Sequence, residues 1–253
     1  MEILGLDVGG SALKGAVVNV ETGEMVTERV RIATPDGAKP SDMALVAAEI
    51  VKKLNWKGPI GCGFPAVIKN GVAYSAANID SSWIGTNVSK IFSMAANCPV
   101  FTANDADVAG VAEMAFGAGK EFNKGVVLFL TLGTGIGTAL FYNGQLFPNM
   151  ELGHIEIRGR DAEKRASAAQ RVEKKLSYAK WAERLQEYLE KMEFLLSPDV
   201  ILLGGGISKD ADKYIHYLHT RAKLLPATLL NHAGIVGAAM YAKNKLAAGG
   251  KGE

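Results

Sequence analysis

The sequence predicts an α/β protein of two similar lobes with a cleft between them. A strand, a glycine turn and a second strand occur at residues 4–20, and the same pattern returns at residues 125–147. Stretches with the apolar spacing of helices follow each copy. Because a unit that recurs half a chain later indicates a duplicated architecture, we divide the chain into two lobes. Residues 1–104, completed by a helix over 234–247, form the first lobe, and residues 105–233 form the second.

The first half of the chain alternates strands with helices. Strands are expected at residues 3–8, 14–20, 25–32 and 58–68, and in a short segment that ends at Asn104. Residues 41–56 have the period of an amphipathic helix, for which Ser41 is the expected N-cap. A second helix, rich in small residues, is expected directly after Asp105.

The second half repeats this order. Residues 125–147 contain three strands, joined by a glycine turn and then by an Asn-Gly turn. Residues 161–196 are expected to be rich in helix, and residues 199–204 form a buried strand that runs into a third glycine turn. The last helix is expected over residues 234–248.

Composition limits the class of protein. Of the 253 residues, 48% are hydrophobic and 21% are charged, which is ordinary for a globular protein, and the net charge of +2 does not favour nucleic-acid binding. The two cysteines are too few for a disulfide framework. This cysteine content leads us to expect a reducing cytoplasm. We find neither a signal peptide nor an apolar run of about 20 residues, so we expect no membrane segment.

Three glycine turns, "DVGGS", "LGTGIGT" and "LLGGGIS", each follow an apolar strand. Successive backbone N–H groups in such turns bind anions, and although tight hairpin geometry is the better explanation of any single turn, three turns, two of them with nearby hydroxyls, favour phosphate. A dinucleotide fingerprint and a P-loop are excluded, because "GTGIG" leads into a strand and no G-x-x-x-x-G-K-[ST] occurs. We therefore predict phosphate binding by Gly9, Gly10, Ser11, Thr131, Gly133, Thr134, Gly135, Gly204, Gly205 and Gly206.

Five motifs in order, "LDVGGSALK", "NDADVAG", "TLGTGIGTAL", "ELGH" and "LLGGGIS", resemble the ROK family of repressors, open reading frames and kinases. The resemblance covers nearly the whole chain. It implies the actin-like ATPase fold, in which two RNase H-like lobes close over a sugar and a phosphoryl donor.

The resemblance also implies the catalytic roles. Asp105 is expected to be the general base, whereas the residues alone fit a helix cap equally well. Asp7 is expected to hold Mg²⁺ through water. Lys14 is expected to offset phosphate charge, with a solvated hairpin lysine as the alternative.

The same resemblance implies a set of sugar-binding residues: Gly63, Asn78, Asn104, Asp105, Glu151, His154 and Glu163. Many family members follow the histidine with a zinc-binding cysteine cluster. Here "IEIRGRDAEKRAS" takes its place and no cysteine follows Cys98, so no zinc is expected. The approach to Glu163 is correspondingly shorter than in those family members.

Within the family, the chain looks like the members that transfer phosphate from polyphosphate to glucose, some of which also use ATP or accept mannose. The basic residues between 158 and 175 either guide this polyanion or form a solvated helix face. The alternatives are an ATP-dependent hexose or amino-sugar kinase and, with little support, a sugar-sensing regulator. Family members are often dimers, and residues 176–196 are expected to supply either an interface or core.

Overall fold

Two mixed β-sheets carry the helices of the chain in a computed structural model, which describes residues 1–77, 79–250 and 252. The first half contains β1 (Glu2–Val8), β2 (Ala12–Asn19), β3 (Glu24–Met25), β4 (Val30–Ala33), α1 (Pro40–Lys53), β5 (Ile60–Phe64), β6 (Ile68–Lys69), β7 (Val72–Ala73), α2 (Val88–Ala96), β8 (Val100–Asn104) and α3 (Asp105–Phe116).

The second half contains β9 (Val126–Leu132), β10 (Ile136–Tyr142), β11 (Gln145–Phe147), β12 (Glu156–Ile157), β13 (Arg160–Asp161), α4 (Glu163–Ala166), α5 (Ala168–Glu173), α6 (Tyr178–Leu196), β14 (Val200–Gly204), β15 (Lys223–Pro226) and α7 (Ala233–Ala247). Short 3₁₀ turns lie between these elements, and one of them, Leu152–His154, carries the "ELGH" motif.

The two sheets have the same design. The first has the order β3-β2-β1-β5-β8, with β4 also paired to β2, and the second has the order β11-β10-β9-β14-β15. In each, an antiparallel hairpin is continued by two parallel strands, β1 to β5 to β8 and β9 to β14 to β15. This repetition confirms the α/β class that was predicted from the sequence.

The chain forms two units, one of residues 1–112 together with the segment from His232 onward, and one of residues 113–231. The division from the sequence placed the boundary at residue 104. The difference arises because the first turns of α3 pack within the first unit: a β-carbon at Gly237 of α7 would overlap the carbonyl of Val108. Helix α7 also packs on the first sheet, since β-carbons at Gly5 or Gly61 would overlap its backbone.

Each unit has its own hydrophobic core. In the first, Phe64 and Trp83 pack edge to face with ring centroids 4.7 Å apart, and the Trp83 indole donates to the Ala38 carbonyl at 2.8 Å. In the second, the apolar face of α6 is buried, and its Trp181 donates to the Ala166 carbonyl at 2.9 Å. The apolar residues of α6 are therefore mainly core.

Local details differ from the prediction. Ser41 is not the N-cap of α1, because the helix begins at Pro40, whose fixed φ and missing N–H suit the first helical position. The Ser41 hydroxyl instead donates to the Asp42 carboxylate at 3.1 Å. The strand expected at 25–32 is two short strands, β3 and β4. Within the described ranges, none of the helices is both long and apolar enough to cross a bilayer.

Candidate functional site

The carboxyl edge of the first sheet carries two of the predicted carboxylates. Asp7 of β1 is in register with Gly63 of β5, which is in register with Ala103 of β8. Asp105 follows directly after β8 as the first residue of α3. Because these strands are parallel, Asp7 and Asp105 lie at the same edge of this sheet.

Asn104 is the cap of helix α3. Its side-chain oxygen accepts the N–H groups of Ala106 at 2.9 Å and Asp107 at 3.1 Å, and its amide donates to the Ala66 carbonyl at 3.2 Å. The residue is buried, with 7% of its surface exposed. Capping is the role that the structure assigns to Asn104, and its predicted contact with a sugar hydroxyl stays a prediction.

Asp105 is half-buried, and its Oδ1 accepts the N–H of Ala106 at 2.8 Å. A β-carbon at Gly63 would lie 2.7 Å from a methyl of Val108, so the glycine lets α3 pack onto β5 directly beside Asp105. The start of α3 and the glycine of β5 together fix the backbone that carries the predicted base.

Asp7 and Lys14 are cross-strand partners in the β1–β2 hairpin, and their side chains form a 2.9 Å ion pair. Lys14 is thus held at the carboxylate rather than solvated. The pair uses Oδ2 of Asp7, and one further carboxylate oxygen remains. A single carboxylate suits a Mg²⁺ ion that keeps most of its waters, so the residues present fit the predicted role.

The turn after β1 is fixed by its own hydrogen bonds. The N–H of Gly9 donates to the Ala12 carbonyl at 3.0 Å, and the carbonyl of Gly9 accepts the Thr34 hydroxyl at 2.6 Å. Gly9 therefore shapes the turn, and the phosphate contacts predicted here rest on Gly10 and Ser11.

In the second unit, the turn between β9 and β10 makes room for a carboxylate. A β-carbon at Gly135 would overlap Oε2 of Glu163, and the same oxygen accepts the N–H of Ile136 at 3.4 Å. Gly133 closes the turn by donating to the Gly135 carbonyl at 3.0 Å, and a β-carbon at Gly133 would meet nothing within 4 Å. The missing side chain of Gly135 thus leaves room for the Glu163 carboxylate, while Gly133, two residues after Thr131, borders open space.

The third glycine turn follows β14. Gly205 has a positive φ of 82°, and a β-carbon there would lie 2.5 Å from the Leu132 carbonyl, so this glycine is required by both its conformation and its packing. Ser208 closes the turn through its hydroxyl, which donates to the Gly205 carbonyl at 2.8 Å. Gly204 packs on the Phe129 ring, whereas Gly206 borders open space.

The "ELGH" turn is anchored on β10. The Thr138 hydroxyl donates to the Met150 carbonyl and accepts the N–H of Leu152 at 3.1 Å. A β-carbon at Gly153 would overlap the Ile136 carbonyl, so only glycine lets the turn lie this close to the strand. These contacts fix the backbone on either side of Glu151 and His154.

Glu151, His154 and Glu163 come together in the second unit, with a fourth residue that the sequence did not suggest. His154 Nε2 lies 3.8 Å from a carboxylate oxygen of Glu151, and His154 Nδ1 lies 2.9 Å from Oδ2 of Asp161. The hydrogen bond to Asp161 is the main cause that raises the pKa of His154. Partial burial raises the pKa of Glu151, whose side chain is 41% exposed.

Three of these side chains meet the geometry of a cation cluster, since His154, Asp161 and Glu163 offer one nitrogen and two oxygens within 4.8 Å of one another. The thiolates of the family's zinc site are missing from this part of the sequence. No second feature among the described residues points to an ion, so we interpret the group as a hydrogen-bonded polar cluster.

The basic run after the cluster is partly neutralised. Arg158 and Arg165 both pair with Glu187, at 2.8 and 2.7 Å, and Arg171 stacks over the Tyr178 ring at 4.2 Å. Lysines of the run, such as Lys174 at the end of α5, remain exposed. Asn78, the last predicted sugar ligand, lies outside the described residues.

In the first unit, Asp7 and Asp105 lie at the carboxyl edge of the sheet, and in the second unit the "ELGH" turn carries a polar cluster. The chain belongs to the ROK family, whose model matches residues 3–168. Fold likeness extends over nearly the whole chain. A ROK family glucokinase from Streptomyces griseus, solved with glucose and AMPPNP, aligns with 96% of this chain and 100% of its own at a TM-score of 0.80 and 22% identity. This likeness confirms the predicted fold.

Two relatives are much more similar in sequence. A polyphosphate glucokinase from Mycobacterium tuberculosis is 45% identical over 237 residues, which is 93% of this chain and 89% of the relative. The inorganic polyphosphate/ATP-glucomannokinase from Arthrobacter sp. strain KM has a TM-score of 0.92 and 43% identity, and the alignment covers 96% of this chain and 99% of that protein.

Proposed function

We propose that this chain transfers a phosphoryl group from inorganic polyphosphate to the 6-hydroxyl of glucose, which yields glucose 6-phosphate, and that ATP is a second donor. The observation that carries the proposal is the 45% identity, over 93% of the chain, to a polyphosphate glucokinase. The polar cluster of Glu151, His154 and Glu163 supports it, because carboxylates and an imidazole are suited to pair with adjacent sugar hydroxyls.

The reaction needs a base at the acceptor hydroxyl. We assign this role to Asp105, whose carboxylate takes the proton of the sugar's 6-hydroxyl while that oxygen attacks the terminal phosphorus. The bond from that phosphorus to the bridging oxygen breaks, and the donor leaves shortened by one phosphate. Asn104 supports the step by capping α3, which fixes the backbone of the base.

The donor phosphates are assigned to the glycine turns. Gly10, Ser11, Thr131, Thr134 and Gly133 would contact phosphate oxygens through N–H and hydroxyl groups, and Gly204–Gly206 form the third turn. Asp7 would hold Mg²⁺ through water, and the ion would supply positive charge to the phosphates when bound. The ion pair of Lys14 with Asp7 fixes the carboxylate within the β1–β2 hairpin.

The test is glucose 6-phosphate formation by purified protein with Mg²⁺ and glucose, with polyphosphate or ATP as the sole donor. We expect turnover with both donors. Asp105→Asn protein, purified in the same way, controls for contaminating kinases. Turnover with ATP alone would replace the proposal with an ATP-dependent hexokinase, and no turnover with either donor would refute it. Mannose, offered in place of glucose, measures how strictly the acceptor is selected.

We also propose that the protein works in the cytoplasm as a homodimer. Both cysteines are buried free thiols, which suits a reducing compartment. At the end of α6, Phe194 is 79% exposed and Leu195 is 49% exposed, and this apolar surface would be covered by a second copy. Sedimentation equilibrium gives the mass, and a monomer at micromolar concentration would contradict the dimer.

A further inference from the structure

A small hairpin returns the chain to the "ELGH" turn. Strands β12 and β13 pair Glu156 with Asp161, and the two residues between the strands, Arg158 and Gly159, have positive φ values of 54° and 73°. Positive φ at both positions is the geometry of a type I′ turn, which joins two antiparallel strands through a loop of only two residues. The hairpin therefore brings Asp161, seven residues after His154, back beside the imidazole.

The Asp161 carboxylate contacts two of the proposed sugar ligands at once. Its Oδ2 lies 2.9 Å from Nδ1 of His154, and its Oδ1 accepts the backbone N–H of Glu163 at 3.3 Å. Its side chain is 27% exposed, compared with 42% for that of His154. Asp161 thus lies behind the imidazole and at the start of α4, which carries Glu163.

This contact bears on which imidazole nitrogen carries the proton, because Asp161 lies at hydrogen-bond distance from Nδ1 whereas Glu151 is 3.8 Å from Nε2. A carboxylate accepts only, so it favours the proton on Nδ1 and leaves the lone pair of neutral His154 on Nε2. A sugar hydroxyl that donates to Nε2 would then meet an imidazole of fixed tautomer and orientation. Glu151, 3.8 Å from Nε2, lies on that side of the ring.

We propose that Asp161 is a positioning residue for sugar binding: it holds His154 in the Nδ1-protonated tautomer and orients Glu163. The inference rests on the proposed function, in which His154 and Glu163 bind glucose. It deepens that function by assigning a role to the hairpin that follows the "ELGH" turn.

The first test is nuclear magnetic resonance of the imidazole nitrogens without sugar. The chain has only four histidines, so a His154→Gln spectrum assigns the His154 signals. Wild type should show the Nδ1-protonated tautomer and a pKa above the usual value of about 6.5. Asp161→Ala should lose the tautomer preference and lower the pKa, whereas Asp161→Asn should keep the tautomer through its amide oxygen but still lower the pKa. Unchanged signals in Asp161→Ala would overturn the proposal.

The second test is glucose kinetics and calorimetry on the same variants. Asp161→Ala should raise the glucose KM about tenfold and change kcat less than threefold, and Asp161→Asn should restore part of the affinity. Glu156→Ala is the matched control, since Glu156 is an exposed carboxylate opposite Asp161 on the same hairpin. An unchanged glucose KM in Asp161→Ala would overturn the role in binding.

Two controls complete the design. One tests whether the cluster binds a metal, and the other separates a failure of this proposal from a failure of the proposed function. If EDTA treatment of wild type reproduces the loss of glucose affinity and Zn²⁺ restores it, the cluster is a metal site and the proposal is wrong. If wild-type protein binds no glucose, the proposed function fails, and the magnetic resonance test still decides whether Asp161 fixes His154.

The pH dependence of stability gives an independent check. The groups that face His154 are Asp161, Glu163 and Glu151, and together they favour the imidazolium. A raised folded-state pKa means that this interaction stabilises the fold fully below about pH 6.5 and is lost as pH rises through the folded pKa. The melting temperature of Asp161→Ala should therefore fall further below that of wild type at pH 5.5 than at pH 9, and an equal difference at both would contradict the pairing.

Discussion

Asp105 is placed by residues whose own roles are structural. Asn104 caps α3, and Gly63 lets that helix approach β5, so the carboxylate sits at a helix start built to present it. Replacing only its charge should therefore leave the fold intact.

We expect Asp105→Asn to lower kcat by about 10²- to 10⁴-fold, because the amide cannot take the proton of the acceptor hydroxyl. Thermal unfolding and glucose calorimetry should remain close to wild type. A kcat within threefold of wild type would remove Asp105 as the base, and a collapsed melting temperature would assign it to the helix cap instead.

Gly135 and Glu163 can be tested as a pair, because a β-carbon at Gly135 would occupy the place of the Glu163 carboxylate. We expect Gly135→Ala and Glu163→Ala each to raise the glucose KM by about tenfold. The double variant should be no worse than either single one, since both changes remove the same contact. Gly133→Ala gives the contrast, because it should affect the KM of the donor rather than that of glucose. Additive effects in the double variant would contradict the pairing.

Glu151 predicts a pH limit on glucose binding. Burial is the main cause that raises its pKa, so the carboxylate becomes protonated at a higher pH than an ordinary glutamate. Glucose affinity should fall as pH drops through this raised pKa, because the protonated group loses acceptor capacity. Calorimetry from pH 4.5 to 8 measures the fall, and Glu151→Gln should bind weakly with no such acid limb. If glucose affinity still falls at low pH in Glu151→Gln, a group other than Glu151 causes the fall.

At the scale of elements, helix α5 links the glycine turn to exposed lysines. The N–H of Ala169, in its first turn, donates to the Gly133 carbonyl at 3.0 Å, and Lys174 and Lys175 follow its last residue. A six-residue helix is about 9 Å long, so a phosphate chain bound at the turn, as we propose, would bring its further phosphates within reach of the lysines.

The double variant Lys174→Gln, Lys175→Gln should raise the KM for long polyphosphate several-fold and that for ATP less than twofold, because only the polymer extends to these charges. Lys52→Gln, Lys53→Gln on α1 makes the same charge change in the first unit and serves as the control. Equal effects on both donors would show that the lysines act on the phosphates at the turn, not along a polymer.

Sequence patterns predicted the elements that have a strong apolar periodicity or that end at a clear glycine turn. The glycine turns, the helices of residues 161–196 and α7 follow from local signals, and the two sheets confirm the repeat. Asp161 was missed because its hairpin has strands of two residues, too short for any periodic signal. The "IRGR" stretch offers only one glycine, after an arginine that does not favour a positive φ, so it is a weak hairpin signal in the sequence.

Other features depended on contacts between distant segments. The clearance of Gly135 for Glu163 joins residues 28 positions apart, and the cap by Asn104 competes with the equally plausible caps Asp105 and Asp107 in the same motif. No local pattern distinguishes these alternatives. The start of α1 at Pro40 rather than Ser41 shows the same limit, because both residues are favoured near a helix start.

At the scale of the whole molecule, charge predicts how the donors differ. With 28 basic and 26 acidic residues, the net charge is only +2, so the average field of the protein attracts a polyanion weakly. Attraction of a long phosphate chain must come from local charges within about a Debye length, near 10 Å at 0.1 M salt.

Raising sodium chloride from about 0.05 to about 0.5 M should therefore increase the KM for polyphosphate by more than that for ATP, because the polymer engages more exposed charges and salt screens each of them. Free Mg²⁺ must be held constant, since both donors bind it. Glucose carries no charge, so its KM provides the internal control and should change less than twofold. The double lysine variant should have lost part of the salt dependence for polyphosphate. The same salt dependence for both donors in wild type would mean that polyphosphate, like ATP, is bound only through its terminal phosphates at the glycine turns.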